Sequence, residues 1–579
     1  MLRPLDDTAR AWVAATLDRL TLPERVGHLL MPWVLGGYTA RDSKAFDRVA
    51  QWVEEDSVGG LLVSVGTPHS YAALTNAAQE RATQNGGVPL LVASDMENGT
   101  GMRIARSYAL PYVLPLGGGT LFPPMMGFGA VRDNPEALVQ EMAAALAGEA
   151  LAVGVHMTFG PVADVNVNPA NPIISTRAFG EDPEAVGRLA AAYVRGARQA
   201  GLLTCGKHYP GHGDTAEDTH LETPVITHSM DRLEAVELPP FQQVIDAGVD
   251  GIMTAHIAVT GVEGADAPPA TLSRFFLTEV LRERMGFTGL VFTDALNMGG
   301  AAKAYPPGEV GVRAVEAGAD VLTFPLNVRA TRNAVLAAVA SRRLTEERIE
   351  ASVQRILEAK ARAGLHVRDA CVSLDAVDRI VATRAHHALA GKAASRAVTL
   401  VRDEHGTVPL LAERQRVLSV TYADAEDLPA GNAFDADLAK RHAVTSVRMD
   451  ARASADEFAA LRQQAADADA VVVAIYLSPR NFKGSVGAND RFTAFVNELA
   501  GEGDSARPKP FVVVSCGNPY LLGAFPAAPA YLLAWGGDVV CQKAAARALL
   551  GTAAITGRLP ISLPPFHQRG DGLDREVRQ

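Results

Sequence analysis

The stretch LLTCGKHYP, residues 202–210, indicates the fold, because an apolar run ends there in ionisable side chains. Continuous apolar runs of this kind are typical of strands buried on both faces of a parallel sheet. Segments with a helical pattern, such as 134–153 and 231–248, separate most of the runs. Eight βα units predict a (β/α)8 TIM-like barrel. A doubly wound sheet is the alternative, but the count of eight and the lack of GxGxxG at the first turn favour the barrel. The other seven runs are VGHLLMPWVL (26–35), VGGLLVSV (58–65), PLLVASDME (89–97), GVHMTFGPVADVN (154–166), GIMTAHIAV (251–259), FTGLVFTDAL (287–296) and ADVLTFPLN (319–327).

The chain of 579 residues is too long for one ordinary core. We expect the barrel over residues 1–365, a linker over 366–394 and a smaller α/β sandwich domain over 395–579. Six or seven apolar runs support the second domain. They are AVTLVR (397–402), RVLSVTYAD (416–424), AVTSVRMD (443–450), DAVVVAIYL (469–477), FVVVSC (511–516), YLLAWG (531–536) and RLPISLP (558–564).

Composition excludes several classes of protein. The formal net charge of −11 argues against nucleic acid or an anionic membrane as the main partner. No run of 18 apolar residues predicts a transmembrane helix, and the first 31 residues lack an unbroken apolar signal segment, so we expect a cytoplasmic protein. The four cysteines are far apart and lack CxxC spacing, which predicts free thiols.

Ionisable residues follow most of the predicted barrel strands. Catalytic groups of a barrel collect at the carboxyl ends of its strands. Any one of these residues could instead cap a helix or form an ion pair, but their presence at four or more strand ends indicates an active site. They are Asp95 and Glu97 after the third strand, Asp164 and Arg177 after the fourth, Lys207 and His208 at the fifth, His256 after the sixth and Asp294 after the seventh.

The segment KHYPGHGDTAEDTH, residues 207–220, admits three interpretations. A phosphate cradle is disfavoured because no GK[ST] follows the glycines. A proton-transfer pair is the third interpretation, since Asp218 and His220 share one face of an extended segment. A metal site is disfavoured because glycine and proline interrupt the segment and no helical i, i+4 pair is present, so we expect neither a metal nor another cofactor. The metal interpretation would use His208, His212, Asp214, Asp218 and His220.

The same segment resembles the KH[F/Y]PG[H/R]G…D[S/T]H signature of the β-N-acetylglucosaminidase branch of glycoside hydrolase family 3. DMENGTGMR (95–103), NPANPIISTRAFGEDP (168–183) and VFTDALNM (291–298) resemble further segments of that family's barrel. KPFVVVSCGNPYLL (509–522) and GTAAITGRLPISLP (551–564) resemble its C-terminal sandwich. The chain departs from the family pattern at Asn98, where the family usually has glycine.

The resemblance implies a role for each site residue. Asp294 is implied as the nucleophile and His220 as the general acid/base, which Asp218 orients. The residues implied to bind the sugar in the cleaved subsite are Asp95, Arg103, Arg177, Lys207 and His208. The chemistry agrees with these roles, because a nucleophile needs fixed geometry and a proton donor needs a pKa near neutral.

Our leading hypothesis is therefore a retaining exo-β-N-acetylglucosaminidase that acts on cell-wall muropeptides or chitin-like oligosaccharides. A close alternative is a β-N-acetylglucosaminide phosphorylase, because a histidine acid/base repels a phosphate acceptor less than a glutamate does. A β-glucosidase or β-xylosidase is a third possibility, which the Asp218–His220 pair disfavours. A non-catalytic sugar-binding protein and a metal-dependent hydrolase are the hypotheses from other classes. The expected partner is a small carbohydrate.

Overall fold

The computed structural model describes residues 2–103, 118–217, 223–299, 305–411, 414–478, 487–501 and 509–578. The predicted dyad residues Asp218 and His220 lie outside these ranges. The chain divides into two compact units, each described separately below. The first unit contains Met1–Thr120, Val139–Val165 and Val186–His387, and the second contains Leu121–Leu138, Asn166–Ala185 and Ala388–Gln579.

The first unit contains a ring of parallel strands, as the apolar runs predicted. Within the described residues the ring has eight strand positions, the first of which is split into β1 and β2. Strand β1 pairs with β11 through Leu30 and Leu322, and β2 pairs with β3, so the ring closes on itself. A parallel bridge between Phe292 and Val321 joins the seventh and eighth positions. The strands are β1 (Leu30–Met31), β2 (Trp33–Leu35), β3 (Gly60–Ser64), β4 (Leu91–Ser94), β5 (Met157–Thr158), β6 (Leu203–Tyr209), β8 (Gly251–Thr254), β10 (Leu290–Phe292) and β11 (Leu322–Thr323); a separate pair is β7 (Val225–Ile226) with β9 (Ala258–Val259).

Helices separate the strands along the chain, and polar caps begin several of them. Asp6, Ser43, Asn327 and Thr345 each accept a hydrogen bond from a backbone N–H in the first turn of the helix that follows. These helices are α1 (Asp7–Arg19), α2 (Leu22–His28), α3 (Lys44–Glu54), α4 (Pro68–Thr83), α5 (Met125–Gly129), α6 (Pro135–Ala152), α7 (Pro183–Gln199), α8 (Met230–Ala235), α9 (Leu238–Ala247), α10 (Thr260–Glu263), α11 (Phe275–Arg284), α12 (Pro307–Ala317), α13 (Val328–Ala340), α14 (Glu346–Arg362), α15 (Leu374–Ile380) and α16 (Arg384–Ala397). The helix labelled α11 has π-helical hydrogen bonding.

Two sequence expectations need correction. Residues 231–248 were expected to be one helical segment, but they form all except the first residue of α8 and the whole of α9. Pro239 and Pro240 cause the break, because proline cannot donate to a preceding turn and is tolerated in the first turn of a helix. The run RLPISLP forms no regular strand and makes only an isolated bridge, Leu563 to His567.

The second unit contains a six-stranded mixed sheet in the order β12-β17-β16-β15-β13-β14, counted over its described residues. The pairs from β17 to β14 are parallel, and the edge strand β12 is antiparallel to β17. Strands β15 and β16 are buried throughout, which agrees with their unbroken apolar sequences. The elements are β12 (Thr399–Asp403), β13 (Arg416–Ala423), α17 (Asn432–Leu438), β14 (Ala443–Met449), α18 (Ala455–Asp467), β15 (Ala470–Tyr476), α19 (Asp490–Gly501), β16 (Phe511–Ser515), β17 (Ala530–Leu533) and α20 (Val539–Leu549).

The architecture confirms the predicted fold class, a TIM-like barrel followed by a smaller α/β domain. The predicted domain bounds stay predictions. Segments 121–138 and 166–185 group with the second unit although they lie between barrel strands in sequence, and α15 and α16 occupy much of the predicted linker. The four cysteines are free, as expected. No described helix has the length and apolar composition that a bilayer span requires.

Candidate active site

A buried lysine joins the ends of the third and fifth barrel strands. The Lys207 Nζ lies 2.9 Å from Asp95 Oδ1 and 2.8 Å from Glu97 Oε1. Its side chain is only 3% exposed, so the two carboxylates supply the pairing that a buried charge needs. Arg103 Nη2 lies 3.5 Å from Asp95 Oδ2 and adds a second positive charge. Two carboxylates and two cations therefore form one neutral network.

The network keeps Asp95 ionised. Burial by itself raises the pKa of Asp95, but the charges of Lys207 and Arg103 outweigh burial and hold the pKa below its ordinary value. An ionised carboxylate accepts hydrogen bonds and donates none. Asp95 is 23% exposed, so it can accept from a ligand hydroxyl while it pairs with both cations. The turn that carries these residues places its left-handed φ, 124°, on Gly99, so the departure from the family pattern at Asn98 does not remove this glycine.

A second buried carboxylate, Asp164, holds the histidine that follows Lys207. His208 donates from Nδ1 to Asp164 Oδ2 at 2.7 Å, and its backbone N–H points at the same carboxylate at 3.2 Å. The backbone N–H of His212 donates to Asp164 Oδ1 at 2.7 Å. Burial raises the pKa of Asp164, but His208 and His212 lower it further than burial raises it. The ionised Asp164 therefore fixes the ring orientation of His208 and places a proton on Nδ1.

The predicted nucleophile Asp294 lies two residues beyond the end of β10. The backbone N–H of Ala295 donates to its Oδ1 at 2.7 Å. Burial raises the pKa of Asp294, but electrostatic interactions with His208 and His256 and the hydrogen bond from Ala295 bring the pKa below its ordinary value. Lys207 lowers it further. The side chain is therefore an anion held in a fixed orientation near neutral pH, as nucleophilic displacement requires.

His256 is oriented from both sides of its ring. Its Nε2 donates to the carbonyl oxygen of Ala295 at 3.0 Å, and its Nδ1 lies 2.8 Å from the hydroxyl of Thr271. The residue is fully buried. Because it bonds the residue that follows Asp294 and contributes to the pKa of Asp294, it supports the predicted nucleophile.

Asp214 also anchors the described part of the loop after β6. Asp214 Oδ2 lies 2.6 Å from His228 Nε2 and 3.6 Å from Arg232 Nη2. Arg232 also pairs with the buried Glu237 at 2.8 Å. These contacts hold the loop at Asp214.

Two of the residues that the metal interpretation would use as ligands are paired with other side chains. His208 pairs with Asp164, and Asp214 pairs with His228. Within the described ranges, no group of three or more His, Cys, Asp or Glu side chains is arranged to hold a metal ion.

The structure brings five of the predicted site residues together. Asp95, Arg103, Lys207, His208 and Asp294 meet in the first unit. Arg177 belongs to the second unit, where its Nη1 donates to the carbonyl oxygen of Ile173 at 3.1 Å. The assigned roles of all these residues, and of Asp218 and His220, stay predictions.

Three residues were recognised in the sequence only as strand-end groups and were given no role. They are Glu97, Asp164 and His256, and each contacts a predicted site residue or its neighbour. Their position after a buried strand was the available signal. Their partners could not be read from the sequence because Asp164 and His208 are 44 residues apart.

The chain matches two family models. Residues 21–359 match the glycosyl hydrolase family 3 N terminal domain, and residues 398–575 match the glycosyl hydrolase family 3 C-terminal domain. The first match alone covers more than half of the chain. The protein belongs to glycoside hydrolase family 3, and it is a glycoside hydrolase that acts on carbohydrate substrates.

One curated relative and two solved structures are similar to the chain over nearly its whole length. The chain is 28% identical over 583 residues to a beta-N-acetylglucosaminidase/beta-glucosidase of Cellulomonas fimi, with 96% of each chain covered. It is similar to the structure of a glycoside hydrolase family 3 beta-N-acetylglucosaminidase from Paenibacillus sp. str. FPU-7, with a TM-score of 0.80, 32% identity and coverage of 94% of this chain and 99% of that one. It is also similar to the beta-glucoside phosphorylase BglX bound to 2FGlc, with a TM-score of 0.81, 25% identity and 97% coverage of both chains.

Proposed function

We propose that this protein is a retaining exo-β-N-acetylglucosaminidase that removes terminal β-linked N-acetylglucosamine from cell-wall muropeptides or chitin-like oligosaccharides. The observation that carries the proposal is the Asp294 carboxylate, which Ala295 orients and which His208 and His256 keep ionised. The acetamido sugar is favoured by the D[S/T]H pattern at Asp218 and His220 and by the names of two similar proteins.

The proposed mechanism has two displacement steps. Asp294 attacks the anomeric carbon, the bond to the leaving oxygen breaks, and His220 gives that oxygen its proton. Asp218 orients the imidazole. In the second step His220 takes a proton from the acceptor, which displaces Asp294 and returns the anomeric centre to its original configuration.

The neutral network at the barrel mouth would bind the terminal sugar. Asp95 accepts hydrogen bonds from hydroxyl groups, and Arg103 and Lys207 donate to hydroxyl oxygens. His208, held by Asp164, and Arg177 are also proposed to donate to the sugar. A mouth in which the ring hydroxyls meet fixed charged groups orients the anomeric carbon over the nucleophile.

The acceptor defines a second candidate function, a β-N-acetylglucosaminide phosphorylase. A histidine acid/base places one negative charge fewer beside the acceptor than a glutamate would, so an anionic phosphate is repelled less. The likeness to a protein named as a beta-glucoside phosphorylase also favours this candidate.

The deciding experiment is hydrolysis of 4-nitrophenyl β-N-acetylglucosaminide, with and without phosphate, compared with the β-glucoside. Asp294→Ala is expected to abolish turnover of the acetamido sugar. The anomer formed first, observed by NMR, reports retention, and a sugar 1-phosphate in the presence of phosphate identifies the phosphorylase. A preference for the plain glucoside would contradict the proposal, as would full activity of Asp294→Ala. Loss of activity with chelators would instead support a metal-dependent hydrolase.

A further inference from the structure

A buried carboxylate outside the proposed mechanism contacts the turn that carries Arg103. Glu149 belongs to helix α6, and its side chain is 0% exposed. A carboxylate in this position is unfavourable unless hydrogen bonds satisfy both of its oxygens. Among the described residues, five hydrogen bonds do so, and all of their donors belong to the first unit.

Three of these hydrogen bonds hold the two threonines beside the Arg103 turn. The hydroxyl of Thr100 and the backbone N–H of Thr120 donate to Glu149 Oε2, the second at 2.8 Å, and the hydroxyl of Thr120 donates to Oε1 at 2.6 Å. Thr100 begins a single 3₁₀ turn of three residues that ends directly before Arg103. The backbone N–H of Gly101 donates to the carbonyl oxygen of Thr120 at 2.9 Å. Glu149 therefore holds the backbone from which the Arg103 side chain extends.

The other two hydrogen bonds come from the segment that the sequence predicted to be a linker. The backbone N–H of Ala382 donates to Glu149 Oε1 at 2.9 Å, and His386 Nδ1 lies 2.6 Å from the same oxygen. Ala382 has a left-handed backbone with φ of 53°, which is unfavourable for a residue with a Cβ. Its N–H is thus directed at the carboxylate in spite of a backbone cost. The predicted linker contributes to the same anchor as the two threonines.

The position of the Arg103 guanidinium depends on this backbone. Among the described residues, its buried Nε contacts no hydrogen-bond acceptor, and its Nη2 reaches Asp95 only at 3.5 Å. The main chain is held more closely. The N–H of Arg103 donates to the carbonyl oxygen of Thr100 at 3.1 Å, and its own carbonyl accepts from the N–H of Gly66 at 3.2 Å. A guanidinium placed in this way keeps a donor for a ligand hydroxyl.

We propose that Glu149 is a positioning residue for Arg103 and that His386 of the predicted linker assists it. This inference rests on the proposed function, because Arg103 is proposed there to donate to the terminal sugar. The Glu149 carboxylate accepts from both threonines and so fixes the turn that places the guanidinium. Glu149 itself contacts no sugar in this scheme and acts through Arg103.

Glutamine cannot replace Glu149 in either orientation of its amide. Each carboxylate oxygen accepts from one backbone N–H, Oε2 from Thr120 and Oε1 from Ala382. A backbone N–H cannot become an acceptor, so the amide NH2 would face one of these donors whichever way it turned. We expect Glu149→Gln to raise KM for 4-nitrophenyl β-N-acetylglucosaminide about tenfold and to change kcat less than about threefold.

His386 provides a conservative variant for comparison. Asparagine carries an N–H donor near the position of the histidine Nδ1, whereas phenylalanine carries none. We therefore expect His386→Asn to stay within about twofold of the wild-type KM and His386→Phe to raise KM severalfold. Equal losses in the two variants would remove His386 from the proposal.

A double-mutant cycle separates positioning from a general structural role. Arg103→Ala is expected to lower kcat/KM about 100-fold, because it removes the donor itself. If Glu149 acts through Arg103, adding Glu149→Gln to Arg103→Ala should lower kcat/KM by less than about twofold more. Should Glu149→Gln fail to fold, Thr100→Val removes a single hydroxyl donor and supports the same cycle.

Asp250→Asn is the matched control for the cycle. Asp250 is also buried and accepts from a backbone N–H, that of Thr204 at 3.1 Å, but it precedes strand β8 and lies away from the Arg103 turn. Any loss of kcat/KM that it causes should therefore multiply with the loss in Arg103→Ala.

The outcomes separate this inference from the proposed function. Losses that multiply in the Glu149 cycle, or full activity of Arg103→Ala, would overturn the inference and leave the proposed reaction intact. The cycle is measured on whichever 4-nitrophenyl glycoside the wild type cleaves, so a preference for the β-glucoside would refute the acetamido specificity without altering the result of the cycle. A wild-type protein that cleaves neither glycoside would refute the proposed function, and the inference with it.

Discussion

At the scale of single residues, the fully buried carboxylate of Asp164 accepts hydrogen bonds from two histidines of the candidate active site. Its carboxylate accepts a hydrogen bond from His208 Nδ1, and His208 contributes to the low pKa of Asp294. A residue that touches neither sugar nor nucleophile in the proposed mechanism therefore acts on the nucleophile through His208. Such a role is one of positioning.

We expect Asp164→Asn to reduce kcat/KM on 4-nitrophenyl β-N-acetylglucosaminide about 100-fold, because the asparagine amide would face the Nδ1–H of His208 and turn the ring. The pKa of Asp294 lies below its ordinary value, so Asp294 becomes active as pH rises through that low pKa. Because the interaction with His208 lowers the pKa of Asp294, turning the ring away should raise that pKa and move the acid limb of the kcat/KM profile to higher pH.

Asp250→Asn is the matched control for this prediction. Asp250 is also buried, but it precedes β8 and accepts from the backbone N–H of Thr204 at 3.1 Å, away from the strand ends that carry the site. Its substitution should leave the acid limb in place. An acid limb that stays unchanged in Asp164→Asn would contradict the proposed coupling.

At the scale of elements, the segment 166–185 follows the fourth barrel strand in sequence but packs within the second unit. Glu181 accepts from the backbone N–H of Ser562 at 2.8 Å and from its hydroxyl at 2.7 Å. Asn166 donates to the hydroxyl of Tyr520 at 2.8 Å. The C-terminal part of the chain thus fixes the segment that carries Arg177.

We expect Glu181→Ala to lower the free energy of unfolding of the second unit by about 1–3 kcal/mol, because two partners at Ser562 lose their acceptor. If Arg177 binds the sugar, KM should also rise severalfold while kcat changes less. Denaturant titration and steady-state kinetics measure the two effects. Glu426→Ala, at an exposed glutamate of the same unit, should change neither. An unchanged KM together with lost stability would remove Arg177 from the sugar site.

Elements also show where strand propensity in the sequence predicts a strand and where it does not. The apolar run RLPISLP has the composition of a strand, but Pro560 and Pro564 cannot donate to a ladder, so it forms no regular strand. By contrast, the buried runs of β15 and β16 became strands as predicted. Local sequence predicted element type where composition and hydrogen-bonding capacity agreed.

At the scale of the whole molecule, three buried basic side chains make stability depend on pH. Burial lowers the pKa of Lys360 to about 7, that of His28 to about 3 and that of His156 to about 4. The charge of Lys360 contributes to the lowering at both histidines. Among the described residues, the Nζ of Lys360 contacts no hydrogen-bond acceptor. Charging any of the three in the folded state is therefore unfavourable.

We expect Lys360→Met to raise the thermal midpoint at pH 7 by about 2 °C or more, because an unpaired buried amine is replaced by an apolar side chain of similar length. The unfolded lysine binds its proton up to about pH 10.4, whereas the folded one loses it near pH 7. Wild-type stability should therefore rise with pH between these values, and this rise should be weaker in the variant.

Scanning calorimetry from pH 6 to pH 10 measures this effect. Lys44→Met, at an exposed lysine, should leave the pH dependence unaltered. A fall in the midpoint of Lys360→Met at pH 7 would show that the amine is stabilising, and would contradict the prediction.

The sequence by itself determined the fold class, the family and most members of the candidate site. Apolar periodicity is a local property, and parallel strands of a barrel always end at one face, so a residue's place after a strand already predicts that it reaches the mouth. Asp95, Lys207, His208 and Asp294 could be found for that reason.

Only the tertiary structure decided which side chains contact each other. The partners Lys207 and Glu97 are far apart in the chain, as are Trp33 and Phe324, and closure of the ring brings each pair together. It also decided that the segment bearing Arg177 packs with the second unit. These features depend on burial and distance between separate elements, which no local pattern of residues encodes.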